Sequence, residues 1–570
     1  MPKRLLKIAV LLAISAGLSW YVLVHKNGGS GEGGRLIASQ RTEPDSYNRL
    51  VSAKFPVELI SRLTSAPLIR VNRSSGALEP ALAVSWTAGA DGLSFTLNLR
   101  PGVTFSDGTP FTAADVVFSF RALYDKKVAS PLASGMMVND KPLRVTVVND
   151  LAVVVTFPAS YGPGLAILDN LPILPRHKLE SALDGGRFVE AWGLSTKPSD
   201  MTGLGPFVVA EFQAGQRMRF ARNPHYWAKD ASGRALPYLD EIVLEFVPDQ
   251  NAEMLRLEAG DVDLVSEEIR AEDYASLERA AAARKVQLVE AGVGVDPTGL
   301  WFNLAASSPN AKARSWLQRE ELRHAISLAV DRKLIVDTVF LGAAEPAYGP
   351  ISRGYGPWYV PSLPHPDFDP ARAKTLLESI GLKDRNGDGQ LEDPAGKPAR
   401  IAVLTRKGNT ILERTMSSVQ EQLRKIGLGI DIVALERDPM LKQFFSGAYD
   451  AMYYGAPVNS IDPAINSDLW LSSGSFHFWN PGQEKPATAW EQQIDDLMRT
   501  QSTTMDSTKR IEIFAEVQRI FAEHEPMVFF AAPKVTLAMS ARVTGAVPVV
   551  VRPQILWKPE MLAVNGAAIR

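Results

Sequence analysis

Between residues 81 and 121 the chain reads ALAVSWTAGADGLSFTLNLRPGVTFSDGTPFTAADVVFSFR, and few backbone paths accommodate that order. A strand ends near Trp86 and turns at Asp91-Gly92. Residues 93–99 then alternate apolar and polar at the two-residue period of a half-buried strand. Pro101-Gly102 breaks the strand, and Asp107-Gly108-Thr109-Pro110 forms a second turn. Thr112 is placed to cap a helix whose apolar residues include Val116, Val117 and Phe120. A strand, turn, strand, turn and helix in close succession mark a small α+β unit.

That unit is a fraction of a chain of 570 residues, too long for one hydrophobic core. Apolar residues at 46% and charged residues at 22% are globular proportions. A net charge of −2 supplies no basic field to hold nucleic acid. Zero cysteines excludes disulfides, thiolate metal sites and cysteine nucleophiles. At the N-terminus, Lys3, Arg4 and Lys7 precede an apolar run that continues to Val24. A positive flank before an apolar core is the layout of an export signal. From Leu5 to Val24 the segment is also about long enough to cross a ~30 Å hydrocarbon layer. Two readings stay open, a cleaved signal peptide and an uncleaved membrane anchor. In both, residues 27–34 are a Gly-rich tether and the body lies outside the cytoplasm.

Further along, residues 35–75 read as a strand, a loop with Glu43-Pro44-Asp45, and a helix over 57–63. Strands are expected at 143–148 and 152–157, and a hairpin turn at 213–216. A helix over 251–258 should end at Gly260. The apolar stripe in 320–341 predicts one helix, and 371–380 predicts another opened by Asp369-Pro370. Strand 401–404, helix 411–426 and strand 429–433 alternate as in an α/β lobe with a mixed sheet. Helices over 490–498 and 506–523 follow, and the last 40 residues return to short strands.

Motifs for phosphate loops, nucleophile elbows and zinc hydrolases are absent from the sequence. No two of the seven histidines stand at helical metal-ligand spacing, and no catalytic residue is assigned. His524 between Glu523 and Glu525 reads as a surface helix end before Pro526. Asp384, Asn386 and Asp388 have the alternate spacing of a calcium loop, but Ala395 stands where the bidentate Glu belongs. A tight acidic turn without metal is the reading favoured there.

Several blocks carry a resemblance. They are "Ala-Leu-Ala-x-Ser-Trp", "Asp-Gly-Leu-x-Phe-Thr-Leu-x-Leu-Arg", "Phe-Ser-Asp-Gly-Thr-Pro" and "Thr-Ala-x-Asp-Val-Val". With "Arg222-Asn-Pro-His-Tyr-Trp227", they resemble the family 5 extracellular solute-binding proteins, the oligopeptide- and dipeptide-binding receptors of ABC importers. The resemblance implies an α/β, bilobal periplasmic-binding-protein-like fold (type II, cluster C-like) with an extra domain and a hinge between lobes. It divides the chain into domain I (35–75, 201–300 and 531–570), domain II (76–200) and domain III (301–530), after the 1–34 leader. It further implies a peptide or peptide-like ligand, an ABC permease as partner, a monomer, a periplasmic location and no cofactor.

The implied ligand contacts are Tyr47, Tyr453, Asn459, Asp462 and Trp479. In peptide-binding members, an Asp in the segment matching 450–463 neutralises the ligand's α-ammonium. Aligned on Gly455 and Asp462-Pro463, that place is taken here by Asn459, which carries no charge. Either Asp462 substitutes, or the recognised group is not a free amine. Two other functions are compatible with an exported chain: a membrane-tethered sensor or chaperone for a protein partner, and a periplasmic hydrolase.

Overall fold

The computed structural model describes residues 33–296, 298–455, 458 and 460–565. The export segment and Asn459 therefore lie outside the described residues, as does all of the 1–34 leader except its last two residues. Three sheets organise the rest. The largest has eight strands, in the order Phe207–Gln213, Arg217–Arg222, Glu241–Phe246, Arg35–Gln40, Leu264–Val265, Ala531–Ser540 and Val286–Val293, with Ala344–Pro346 paired to Ala531–Ser540. Arg35–Gln40 runs parallel to Glu241–Phe246 in the register Arg35↔Glu241, and the hairpin across 213–217 is antiparallel. Alternate residues Leu36, Leu244, Leu264 and Leu537 meet in its core with Phe207 and Phe220.

The 81–121 unit supplies two strands of a four-stranded antiparallel sheet and the helix against it. The sheet's strand order is Ala83–Ala88, Ser94–Leu99, Ala152–Thr156 and Arg144–Asn149. Asp91 accepts hydrogen bonds from the N–H groups of Leu93 and Ser94, which makes the expected turn. Helix Ala113–Leu123 follows Thr112, whose N–H donates to the Asp115 carboxylate at 2.9 Å. The other Asp115 oxygen accepts from the Arg176 N–H, tying the next helix, Arg176–Asp184, to the first.

A five-stranded mixed sheet builds the other lobe, in the order Gly429–Leu435, Arg400–Arg406, Ala451–Gly455, Thr298–Phe302 and Met527–Phe529. Helices cover both of its faces, so its inner strands are largely apolar, while the flanking strands also carry Arg400, Arg406 and Asp431. Leu300, Phe302, Tyr453 and Val528 point to helices Glu320–Ala329 and Thr410–Arg424. Their neighbours Trp301, Met452, Met527 and Phe529 point to helices Ala489–Thr503 and Ser507–His524.

Three expectations need correction. The stripe at 320–341 is two helices, Glu320–Ala329 and Arg332–Thr338. Val330 is extended, and the Asp331 side chain accepts from the Leu334 N–H, so the capping group restarts the helix. Glu525 is not at a surface helix end: it is 8% exposed, accepts from the Ser327 hydroxyl, and burial raises its carboxyl pKa. The C-terminal region holds one ten-residue strand, Ala531–Ser540, and then only the two-residue strands Val543–Thr544 and Ala563–Val564.

Candidate functional site

Two segments pass directly from a strand of the eight-stranded sheet to a strand of the five-stranded sheet. One leaves Val286–Val293 and resumes at Thr298–Phe302; the other is Phe530 alone, between Met527–Phe529 and Ala531–Ser540. Asp296 sits on the first crossing. Its carboxylate accepts from the Val458 N–H at 3.2 Å and forms a close ion pair with Arg552. Arg552 also reaches Glu268 at 2.8 Å, and Glu268 accepts from the Gln554 amide. Arg41 binds Glu253 at 2.9 Å and approaches Glu267 at 3.7 Å. Two guanidinium groups thus face four carboxylates. Burial pushes the pKa of Asp296 and Glu267 upward, with Arg552 and Arg41 opposing it.

A cluster of opposite sign lies on the same lobe. Helix Phe55–Thr64 presents Glu58 and Arg62 one turn apart. Arg62 makes a two-pronged ion pair with Asp169, both contacts at 3.0 Å. Glu58 is shared by Arg49 at 3.5 Å, Arg73 at 3.4 Å and Arg62 at 3.9 Å. Three guanidinium groups here face two carboxylates, and the three arginine side chains are only 7–14% exposed. Burial, reinforced by the charge of Arg62, lowers the Arg73 pKa to about 10. A small cavity of about 50 Å³ lies between Arg73, Asn72, Asp169 and Asn170 on this side and Ser460 and Ile461 of the other lobe.

Of the five residues implied as ligand contacts, the four that are described do not converge. Tyr47 is 6% exposed against Phe212, and burial alone raises its hydroxyl to about 12. Tyr453 is buried on its strand against Phe530. Trp479 is buried on the opposite face of the same sheet, stacked on Trp301 at 6.1 Å, with its Nε1–H donating to Glu491. Asp462 is ion-paired through both oxygens to Arg510, at 2.8 and 2.6 Å, so its charge is matched within the protein. Asn459 lies outside the described residues. In the acidic turn, Asp384 accepts from the N–H groups of Gly387 and Gly389, and Asp388 accepts from that of Gln390. Among the described residues, no group of three His, Cys, Asp or Glu side chains is arranged to hold a metal.

What sequence reading missed is the arginine cluster, of which Arg73 lines the cavity. Positions 49, 62 and 73 and the partner at 169 come from separate segments, so no local pattern announces them. The nearest signal was Glu58 and Arg62, an i,i+4 pair on a helix whose Val57, Leu59, Ile60 and Leu63 are buried.

This architecture has relatives. The family of bacterial extracellular solute-binding proteins, family 5 Middle, matches residues 77–478. A probable ABC transporter-binding protein of Deinococcus radiodurans is 26% identical over 582 aligned residues, covering 97% of this chain and 96% of that one. The oligopeptide-binding protein AppA of Bacillus subtilis is 27% identical over 530 residues, covering 90% of this chain and 89% of its own. Its structure, in complex with a nonapeptide, superposes with a TM-score of 0.75 at 26% identity, covering 94% of this chain and all of that one. Strand order, crossings and sequence agree on one assignment: the chain belongs to the family 5 bacterial extracellular solute-binding proteins.

Proposed function

We propose that this protein captures a peptide or peptide-like solute between its two lobes and delivers it unaltered to an ABC permease. The observation that carries this reading is the pair of strand crossings beside a cavity walled by both lobes. Such crossings are the structural basis of hinge closure around a ligand. Its place in a family that includes an oligopeptide-binding protein supports the peptide. Domain I is taken as 35–75, 201–300 and 531–570, domain II as 76–200 and domain III as 301–530, and the chain works as an extracytoplasmic monomer. No described helix is long and apolar enough to cross a membrane. Attachment would fall to residues 1–34, as a retained anchor or a cleaved signal.

The test is thermal unfolding with a peptide panel. A ligand at 100 times its dissociation constant stabilises by about 2.7 kcal/mol. A clear rise in Tm with peptides, and recovery of the peptide intact after incubation, is the expected result. No shift with any peptide at millimolar concentration overturns the reading.

A further inference from the structure

A second cleft, of about 740 Å³, lies apart from the space between the lobes. Its walls come from residues 70–103, 226–236 and 558–561, and no residue of 301–530 lines it. That volume is in the range of small-molecule sites. Val84, Val103, Leu236 and Met561 make part of the wall apolar. Arg100 lines it just before the Pro101-Gly102 turn, and Lys229 lines it from a loop closed by the Lys229–Ala235 bridge.

Four cations and three carboxylates line this cleft, and most of them are matched. Arg70 forms a close pair with Glu560, and Lys558 pairs with Glu79 at 3.3 Å. Asp230 is engaged by Arg234 at 3.0 Å and accepts from the Tyr238 and Ser232 hydroxyls. Arg100 and Lys229 remain, neither with a carboxylate partner among the described residues. Arg100 donates its Nε–H to the Ala81 carbonyl at 3.2 Å and lies over the Trp227 ring, 4.5 Å from its centroid. Its other four N–H groups have no hydrogen-bond partner among the described residues. Stacking on an aromatic face sets the plane of the guanidinium fork, which suits it to two oxygens of one anion.

Two further polar atoms on the cleft are unpartnered. They are the Trp227 Nε1–H and the second carboxylate oxygen of Glu560, a residue 4% exposed. Buried polar atoms are nearly always hydrogen-bonded, so two orphans beside one cleft point to a polar occupant. The Tyr226 hydroxyl lies within electrostatic reach of Glu560, Arg70 and Arg100, so the orphan oxygen and the open guanidinium share one end of the cleft.

We propose that this cleft is a second ligand site, taking a small organic oxyanion, a carboxylate or a phosphate ester on an apolar body, held by Arg100 and Lys229. The apolar body lies against Val84, Val103 and Leu236. This site stands independently of peptide capture, because one lobe supplies all of its walls. Its occupant joins segment 79–103 to the loop at 226–236 without any approach of the other lobe.

The experiment is calorimetry on the whole protein at fixed ionic strength, with benzoate, phenyl phosphate and uncharged benzyl alcohol as probes. At least one acid should bind about tenfold or more tightly than the alcohol, and which acid does so separates carboxylate from phosphate. Arg100→Gln should remove that preference, Arg100→Lys should keep part of it, and Lys229→Gln should weaken it. Unfolding curves without ligand establish that each variant is folded. If Arg100→Gln does not fold, Arg100→Lys and the exposed Lys229→Gln decide. Equal binding of the three probes overturns the oxyanion site, and so does a preference that survives intact in the variants. Binding of no probe also overturns it and leaves peptide capture standing. Peptide capture is read separately by its shift in Tm, so its failure leaves a positive result here intact.

Discussion

Two buried ionic clusters on one lobe have opposite imbalances. Around Asp296, Arg41 and Arg552 face Glu253, Glu267, Glu268 and Asp296, a net −2. Around Arg73, three arginines face Glu58 and Asp169, a net +1. The acidic cluster is densely cross-linked. Arg552 ties the crossing to Glu268, and the Asp296 carboxylate holds the Val458 N–H of the other lobe. Its charges are used in joining segments. The basic cluster has longer contacts and opens onto a cavity. Burial of charge serves assembly in the first case and leaves one arginine in excess in the second, so equivalent substitutions should act differently in the two.

The largest effect is expected from Arg552→Ala. It strands Glu268 and Asp296 without their shared partner; with the Arg552 side chain 37% exposed, the cost of leaving those groups unsatisfied is about 3 kcal/mol. Denaturant unfolding at pH 7 would measure it, and a loss below about 1 kcal/mol would contradict the assembly role. Next comes Asn459→Asp, which adds a carboxylate where the resemblance implies one. Free-amine peptides should gain about 1.5–3 kcal/mol over their acetylated forms, by calorimetry on matched pairs. A strong preference for free amines in the unmodified protein would show that another carboxylate already does this.

Glu267→Gln sharpens the acidic side through pH. Burial raises the Glu267 pKa, so the folded state holds that proton more tightly than the unfolded chain. The group therefore costs nothing in acid, and it lowers stability as pH climbs through the ordinary glutamate range toward its raised folded value. The amide removes that cost. Stability should match the parent below about pH 4 and exceed it by about 0.5–1 kcal/mol at pH 7, within the range of single stabilising changes. A gain that is the same at both pH values would place its origin elsewhere. The smallest effect is expected for Arg73→Gln without ligand. Relief of a surplus charge offsets two long contacts, and the change should stay within about 0.5 kcal/mol. A loss comparable to that of Arg552→Ala would make the two clusters alike.

Much of the fold was legible because its punctuation is local. Asp91, Thr112, Asp369 and Gly260 act at turns and helix ends as their side chains or lack of one dictate. The break at Asp331 was hidden, because Leu334 continues the apolar spacing yet is 41% exposed. Candidate site residues were harder to place. Trp479 and Tyr453 have the composition of a cleft wall, but a sheet covered on both faces absorbs such residues into its cores. Asp462 showed an acidic group and gave no sign of Arg510, 48 positions away. The arginine cluster behind the cavity depends on four segments meeting, which spacing cannot report.

Phe530 is the whole length of one crossing: strands end and begin on either side of it, it is fully buried, and its carbonyl accepts from the Ala347 N–H. With the crossing at Asp296 alongside, the lobes are attached at two points by very little chain. Two short attachments define an axis, and rotation about that axis is the motion that leaves both strand pairings intact. The separation of the lobes' outer faces then becomes a single variable. A permease that touches both faces would read occupancy as one distance, whatever the chemistry of the cargo inside.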